Sequence, residues 1–133
     1  MKKIEHIGIA VKNIEEASAT YEALLHQAPY KKEEVESEGV TTLFFRSGES
    51  KIELLGATNS ESPIAKFIDK KGEGIHHIAF AVDDIHAEIK RLESKGFTLI
   101  NPQPKFGADN KLIAFLHPKS NHGVLVELCQ ERG

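Results

Sequence analysis

The chain is poor in cysteine, and this scarcity limits how the fold can be stabilised. Cys129 is the single cysteine, which excludes a disulfide framework within the chain. Because Cys129 alternates with apolar residues in a strand-like run, we expect it to be a small buried side chain. With one thiol and no signal-peptide cleavage pattern, a cytoplasmic protein is the simplest interpretation.

Long hydrophobic runs and an excess of positive charge are also missing. No apolar run approaches the ~20 residues that a membrane span requires. The formal net charge is −3, and no stripe of lysine or arginine is present, so we expect no nucleic-acid partner. The 133 residues are 40% hydrophobic and 28% charged. This composition is typical of a globular protein with one domain, or two very small ones that share a core.

What the chain does contain is a repeat. The segments "IEHIGIAV" and "GIHHIAFAV" both show the alternation of β-branched residues typical of strands. A helix pattern follows each: in the first half it starts at Asn13, with Glu16 completing a capping box, and in the second it ends at Gly96. The predicted apolar face of the first helix holds Ile14, Ala17, Tyr21, Leu24 and Leu25. Strand-like runs follow at 40–48 and 50–56, and at 97–101, 111–118 and 123–130.

The repeat predicts an α+β fold with one β-α-β-β(-β) module in each half. Module 1 covers about 1–58, a linker with a short helix covers 59–73, and module 2 covers about 74–131, all within one domain of residues 1–133. A curved sheet of three or four strands with one helix cannot close its own core. We therefore expect two such sheets side by side, forming a half-open barrel with helices outside and a concave ligand site.

Two histidines and two glutamates occupy matching positions in the repeat. His6 and His77 lie 71 residues apart in the first strands, and Glu53 and Glu127 lie 74 apart in the last strands. Strand alternation offers a simple alternative, in which each glutamate points to solvent. If the glutamates instead face the interior, they require partners, because an unpaired buried carboxylate is costly. Two imidazoles and two carboxylates suit Zn²⁺, Co²⁺, Ni²⁺, Mn²⁺ or Fe²⁺.

Other polar residues carry weaker signals. His76 is expected to point away from His77, since neighbouring strand residues alternate. His117 and His122 flank a loop that contains Lys119 and Ser120. A lysine beside a hydroxyl can bind a phosphate or carboxylate, although a solvated turn has the same composition.

Several motifs together resemble one protein family. They are "HIGIAV" from His6, "IELL" from Ile52, "SPIAKFI" from Ser62, "GEGIHHIAFAVDDI" from Gly72, "FLHPKS" from Phe115 and "GVLVEL" from Gly123. The chain is thereby identified as a member of the vicinal oxygen chelate superfamily, also called the glyoxalase/bleomycin-resistance superfamily. Within it, the chain most resembles the methylmalonyl-CoA epimerases.

The resemblance implies paired βαβββ modules, usually in a homodimer, and one divalent metal ion per chain, with zinc or cobalt first and nickel, manganese or iron as alternatives. It places the metal ligands on His6, Glu53, His77 and Glu127, and makes Glu127 an acid/base group as well. The implied activity interconverts the C2 stereoisomers of methylmalonyl-CoA, an acyl-CoA thioester, through a metal-stabilised enolate. For substrate binding, it suggests Lys119 and Ser120, and a cleft-lining loop with Phe106 and Gly107.

The sequence departs from the family at one point that bears on catalysis. Some epimerases carry a second catalytic glutamate where this chain has Thr42, so the second acid/base is open, with Glu36 or Glu38 as candidates. Two other functions also stay open. Glyoxalase I uses the same ligand set in its bacterial forms, and a metal-free resistance protein would bind a drug in the cleft.

Overall fold

The structure is a computed structural model that describes residues 1–132. Its strands are β1 (Lys3–Val11), β2 (Lys31–Val35), β3 (Val40–Ser47), β4 (Ser50–Ala57), β5 (Gly74–Ala81), β6 (Lys105–Gly107), β7 (Lys111–Leu116) and β8 (Val126–Glu131). Its helices are α1 (Ile14–Leu25), α2 (Pro63–Lys71) and α3 (Ile85–Ser94). The α+β class and the βαβββ succession in each half are confirmed.

The chain divides into two compact units. The first unit comprises residues 6–76, and the second comprises residues 1–5 and 77–133. Residues 1–5 join the second unit because the chain pairs there with β5: the Lys2 backbone N–H donates to the Ala81 carbonyl at 2.9 Å. The single domain and the half-open barrel concern both units together, and they stay predictions.

In the first unit, one sheet face packs on α1. The strand order is β2-β3-β4-β1; β1 runs parallel to β4, and β3 pairs antiparallel with both of its neighbours. Leu43, Phe45 and Leu54 are buried on the α1 side, and they alternate with residues that lie on the opposite face. We call that opposite face the first polar face, defined by His6, Thr42 and Glu53.

Helix α1 starts where the capping pattern predicts. The Asn13 side chain accepts a hydrogen bond from the Glu16 N–H at 2.9 Å. Ile14, Ala17, Tyr21 and Leu25 pack on the core, as expected. Leu24, however, is 69% exposed, so its prediction as a core residue is wrong. It lies about 100° around the helix from Leu25, beyond the edge of the packed stripe.

Helix α2 covers one end of the first polar face. Ser62 caps it, accepting from the Ile64 N–H at 3.1 Å, and Pro63 opens its first turn. Ile64 is buried with Ala10 and Leu55, and Val40, Phe67 and Ile68 pack against this cluster. In residues 1–132, no helix is both long and apolar enough to cross a membrane.

The second unit repeats the pattern with different side chains. Its strand order is β5-β8-β7-β6, with β5 parallel to β8 and β7 antiparallel to both of its neighbours. Helix α3, capped by Asp84, packs Ile85, Ile89 and Leu92 on one sheet face. Cys129 is 1% exposed, which confirms the expectation of a buried thiol.

The sequence analysis did not predict two short strands, β2 and β6. β2 reads "KKEEV", with four charges in five residues, and it lies at the edge of its sheet; charged edge strands lack the hydrophobic alternation by which strands are recognised. β6 lies in a segment expected to be a loop, but it pairs with β7, setting Phe106 opposite Leu112. In the run 97–101, Leu99 forms an isolated bridge to Leu116.

Candidate metal centre

The first unit carries a buried histidine–glutamate pair on its first polar face. The alternation of side chains along β4 sets the orientation of Glu53. Ile52 and Leu54 pack towards α1, so Glu53 points to the opposite face. Its oxygen Oε2 lies 3.1 Å from Nδ1 of His6. Both residues are 5% exposed. The alternative in which Glu53 points to solvent is therefore wrong.

The second unit carries the equivalent pair. Oε1 of Glu127 lies 3.0 Å from Nε2 of His77. Glu127 is 5% exposed and His77 is 6% exposed, so this glutamate does not point to solvent either. The ring of Phe115 stands edge-on to the His77 ring, with 5.8 Å between their centroids.

The strand register shows that the two pairs are built alike. Glu53 lies opposite Gly8 on one side and Phe44 on the other. Glu127 lies opposite Ala79 and Phe115. Gly8 and Ala79, like Phe44 and Phe115, are 71 residues apart, the spacing that also separates the two histidines. The sequence analysis did not single out these neighbours, although the same spacing marks them.

The donor atoms of each pair suit a divalent metal ion. Burying a carboxylate costs several kcal/mol unless a charge or hydrogen-bond donor compensates it. Two ligands at about 2.1 Å from one ion lie about 3.4 Å apart at tetrahedral angles and about 3.0 Å apart at the right angles of an octahedral site. The observed separations of 3.1 and 3.0 Å are close to this range. A hydrogen bond between imidazole and carboxylate gives the same separations.

The residues suggested for substrate binding each have a structural contact. The Ser120 hydroxyl accepts a hydrogen bond from the Thr98 N–H at 3.0 Å. The Lys119 N–H donates to Nδ1 of His117 at 3.1 Å, while the Lys119 side chain lies at the surface. Both belong to a short 3-10 turn, Pro118–Asn121. Their roles towards a substrate stay predictions.

Phe106 and Gly107 lie on opposite faces of β6. Phe106 is 67% exposed and faces the same way as Leu112, whose side packs on α3. The Arg132 guanidinium carbon lies 3.9 Å from its ring centroid. The register therefore sets Phe106 on the other sheet face from Phe115 and Glu127. Gly107 lies on their face, and its substrate role stays a prediction.

His76, the neighbour of His77 in β5, packs on helix α2. Its ring packs edge-on against Phe67 of α2, with 4.8 Å between the centroids. Because His76 and His77 are adjacent in β5, they point to opposite faces of the sheet, as expected. This orientation makes His76 a matched control for experiments on His77.

Comparisons with known proteins place the chain in a family. A family model described as the Glyoxalase/Bleomycin resistance protein/Dioxygenase superfamily matches residues 5–115. The mitochondrial methylmalonyl-CoA epimerase of Dictyostelium discoideum is 42% identical over 127 residues, 95% of this chain and 76% of that protein. The ethylmalonyl-CoA/methylmalonyl-CoA epimerase of Cereibacter sphaeroides is 40% identical over 130 residues, 96% of this chain and 97% of that protein.

A solved structure gives the same result. A variant of Streptomyces coelicolor methylmalonyl-CoA epimerase, in complex with 2-nitronate-propionyl-CoA, superposes with a TM-score of 0.91. The two chains are 33% identical, and the match covers 100% of this chain and 96% of that one. With the family model matching most of its length, the chain belongs to the glyoxalase/bleomycin resistance protein/dioxygenase superfamily, and its resemblance to the methylmalonyl-CoA epimerases is confirmed.

Proposed function

We propose that this protein is a metal-dependent epimerase that interconverts the C2 stereoisomers of methylmalonyl-CoA. The observation that carries the proposal is the buried histidine–glutamate pair that recurs in each unit. Relatives that are 40–42% identical are named methylmalonyl-CoA epimerases. The Streptomyces relative was solved with an acyl-CoA compound bound, which supports an acyl-CoA thioester as substrate.

The metal site is part of this proposal. The two pairs together supply two imidazole nitrogens and two carboxylate oxygens for one divalent ion per chain, held by His6, Glu53, His77 and Glu127. Zinc or cobalt suits this donor set best, and nickel, manganese or iron also bind such ligands. A bound ion would supply Lewis-acid chemistry, which stabilises the negative charge that develops on substrate oxygens when an enolate forms.

The chain's own residues then have defined tasks. C2 of the substrate lies between a thioester and a carboxylate, so loss of its proton gives an enolate. The Glu127 carboxylate, which is 5% exposed and lies 3.0 Å from Nε2 of His77, accepts this proton on one face of C2 or returns one to it. Inversion requires a second group that serves the opposite face. Phe115 stands edge-on to the ring of His77, the partner of Glu127, and helps to hold this pair in place.

The first experiment measures solvent deuterium exchange at C2 of methylmalonyl-CoA by NMR. The protein is tested as purified, after chelation, and after adding back Co²⁺ or Zn²⁺. We expect exchange that is lost on chelation and restored by metal. Exchange that survives complete metal removal would contradict the metal site, while no exchange with any metal would contradict the epimerase.

Glyoxalase I is the alternative that the same samples test. Its bacterial forms share the two-histidine, two-glutamate ligand set, so the site alone does not separate the two enzymes. Turnover of the glutathione–methylglyoxal hemithioacetal without exchange at C2 of methylmalonyl-CoA would favour it. A protein that takes up no metal and turns over neither substrate would favour the drug-binding alternative.

Substrate contacts and assembly complete the proposal. The exposed ammonium of Lys119 would bind a phosphate or carboxylate of the acyl-CoA. We expect Ser120 and the loop that contains Gly107 to lie close to the same part of the substrate. A raised KM with unchanged kcat in Lys119→Ala would support this contact. The homodimer implied by the family is tested by light scattering in solution.

A further inference from the structure

The strand register identifies a carboxylate beside Thr42, the position at which some epimerases carry a second catalytic glutamate. Thr42 is 2% exposed on the first polar face. It lies directly opposite Leu55 of β4 and Glu33 of β2. Directly opposed residues point to the same face of a sheet, so Glu33 shares the face of Thr42 and Glu53.

Glu33 is within reach of the place that a glutamate at position 42 would serve. The Cβ atoms of directly opposed residues lie about 4.5–5.5 Å apart, and the two methylenes and carboxylate of Glu33 can span that distance across the short Thr42 side chain. The Glu33 side chain is 32% exposed. It is therefore accessible to a ligand, unlike Thr42 itself.

The other carboxylates near Thr42 are placed less well. Glu34 lies opposite Thr41 and points to the α1 side of the sheet. Glu36 and Glu38 lie in the 3-10 turn beyond the Val35–Val40 pair. At that end, Val40 packs on the apolar cluster that contains Ile64 of α2, so the turn lies beyond apolar residues and not directly opposite Thr42.

A lysine completes the arrangement. Nζ of Lys31 lies 3.5 Å from Oε1 of Glu33 and 5.2 Å from the ring centroid of Phe44. Phe44 is the residue opposite Glu53. The ion pair with Lys31 therefore holds the Glu33 carboxylate on the face of the sheet that carries Phe44 and Glu53.

We propose that Glu33 is the second proton-transfer residue of the epimerase, acting on the face of C2 that Glu127 does not serve. This inference rests on the proposed function. In one direction, the Glu33 carboxylate removes the C2 proton, leaving the electron pair in the enolate, and a protonated Glu127 delivers its proton to the opposite face. Glu33 ends protonated and Glu127 ionised, and the reverse reaction or exchange with solvent restores both.

The test uses the two C2 epimers separately, in deuterated water, with the metal-loaded protein. In Glu33→Gln, we expect epimerisation to fall by roughly 10²- to 10⁴-fold, the usual contribution of a proton-transfer group. One epimer should still exchange its C2 proton, because Glu127 serves that face, while exchange from the other epimer is lost. A structural defect would slow exchange from both epimers equally.

The matched control is Glu34→Gln, which removes the same charge from the adjacent residue on the opposite face, and it should leave both exchanges unchanged. Metal content, measured by elemental analysis, should be the same in wild type and both variants. Retained exchange from both epimers in Glu33→Gln, or an equal loss from both, would overturn the assignment of Glu33. No exchange by the wild type from either epimer would overturn the proposed function and this inference with it.

Discussion

At the scale of single residues, each buried glutamate lies against a histidine of its own unit. Glu53 and Glu127 are both 5% exposed, and each has an imidazole nitrogen within 3.1 Å. Removing one partner of such a buried pair takes away an interaction that helps to offset the cost of burying the other, and this loss is larger than at an exposed pair. Substitutions here therefore affect stability as well as metal binding.

We predict that His77→Ala and Glu127→Ala both abolish epimerase activity, and that His77→Ala also weakens metal affinity. The reason is the loss of a proposed ligand and, for Glu127, of the proton-transfer group. Metal titration and C2 exchange measure the two effects. His76→Ala is the matched control, since His76 packs on Phe67, and it should keep its metal. Near-normal turnover of both site variants would refute the site.

A second residue-scale prediction concerns Gly107. A Cβ added there would lie 2.7 Å from Cδ1 and 3.0 Å from Cγ2 of Ile113, its neighbour on β7. Gly107→Ala should therefore destabilise the protein by about 1–3 kcal/mol through overpacking. Urea denaturation measures this loss, and adding Ile113→Val should recover part of it. Unchanged stability in Gly107→Ala would show that the glycine is not required for packing.

At the scale of secondary-structure elements, the helix ends carry local stability. The Asn13 side chain accepts from the Glu16 N–H at 2.9 Å, one of the donors at the start of α1 that lack a partner within the helix. Asn13→Ala should lower the free energy of unfolding by about 1 kcal/mol, whereas Asn13→Ser should preserve most of it. Urea denaturation tests both; equal losses in the two variants would contradict capping.

An ion pair on helix α3 makes the free energy of unfolding depend on pH. The Arg91 side chain, whose Nε donates to Oε1 of Glu88 at 2.7 Å, holds the pKa of Glu88 below its usual range. A carboxylate with a lowered pKa stabilises the folded state above its ordinary pKa, and this contribution is lost as the pH falls through the lowered value.

The pair is solvent-exposed on the Arg91 side, so its contribution is small. Glu88→Gln should lower the free energy of unfolding by about 0.2–0.5 kcal/mol at neutral pH. The difference from wild type should vanish on acidification, as followed by urea denaturation across pH. A difference that grows towards acid pH would show the opposite sign.

At the scale of the whole molecule, the proposed function requires the two pairs to share one ion. Each pair lies within its own unit, so the alternative is two independent sites. A shared ion predicts one metal equivalent per chain, and its loss in His6→Ala as well as in His77→Ala. Independent sites predict two equivalents, with one left in each variant. Elemental analysis of wild type and the two single variants separates these outcomes.

Much of this protein follows from local sequence. The repeated strand and helix patterns predicted the α+β class, and the spacing of 71 and 74 residues identified His6, Glu53, His77 and Glu127 as equivalent positions. Capping at Asn13 was also readable, since a cap depends on residues adjacent in the chain. The strand and helix patterns and the cap depend on residues close together in the chain, and the spacing follows from repeating the same pattern in each half.

Tertiary structure decided the strand register and the buried face of each sheet, because both depend on pairing between segments that are distant in the chain. The charged strand β2 has no hydrophobic alternation, so its existence and its register with β3 come from hydrogen bonds to a neighbouring strand. That register alone brings Glu33 opposite Thr42, and only burial shows that Glu53 and Glu127 turn inward to their histidines. A strand pattern has two faces, and the sequence cannot say which becomes buried until the sheet and its helices pack.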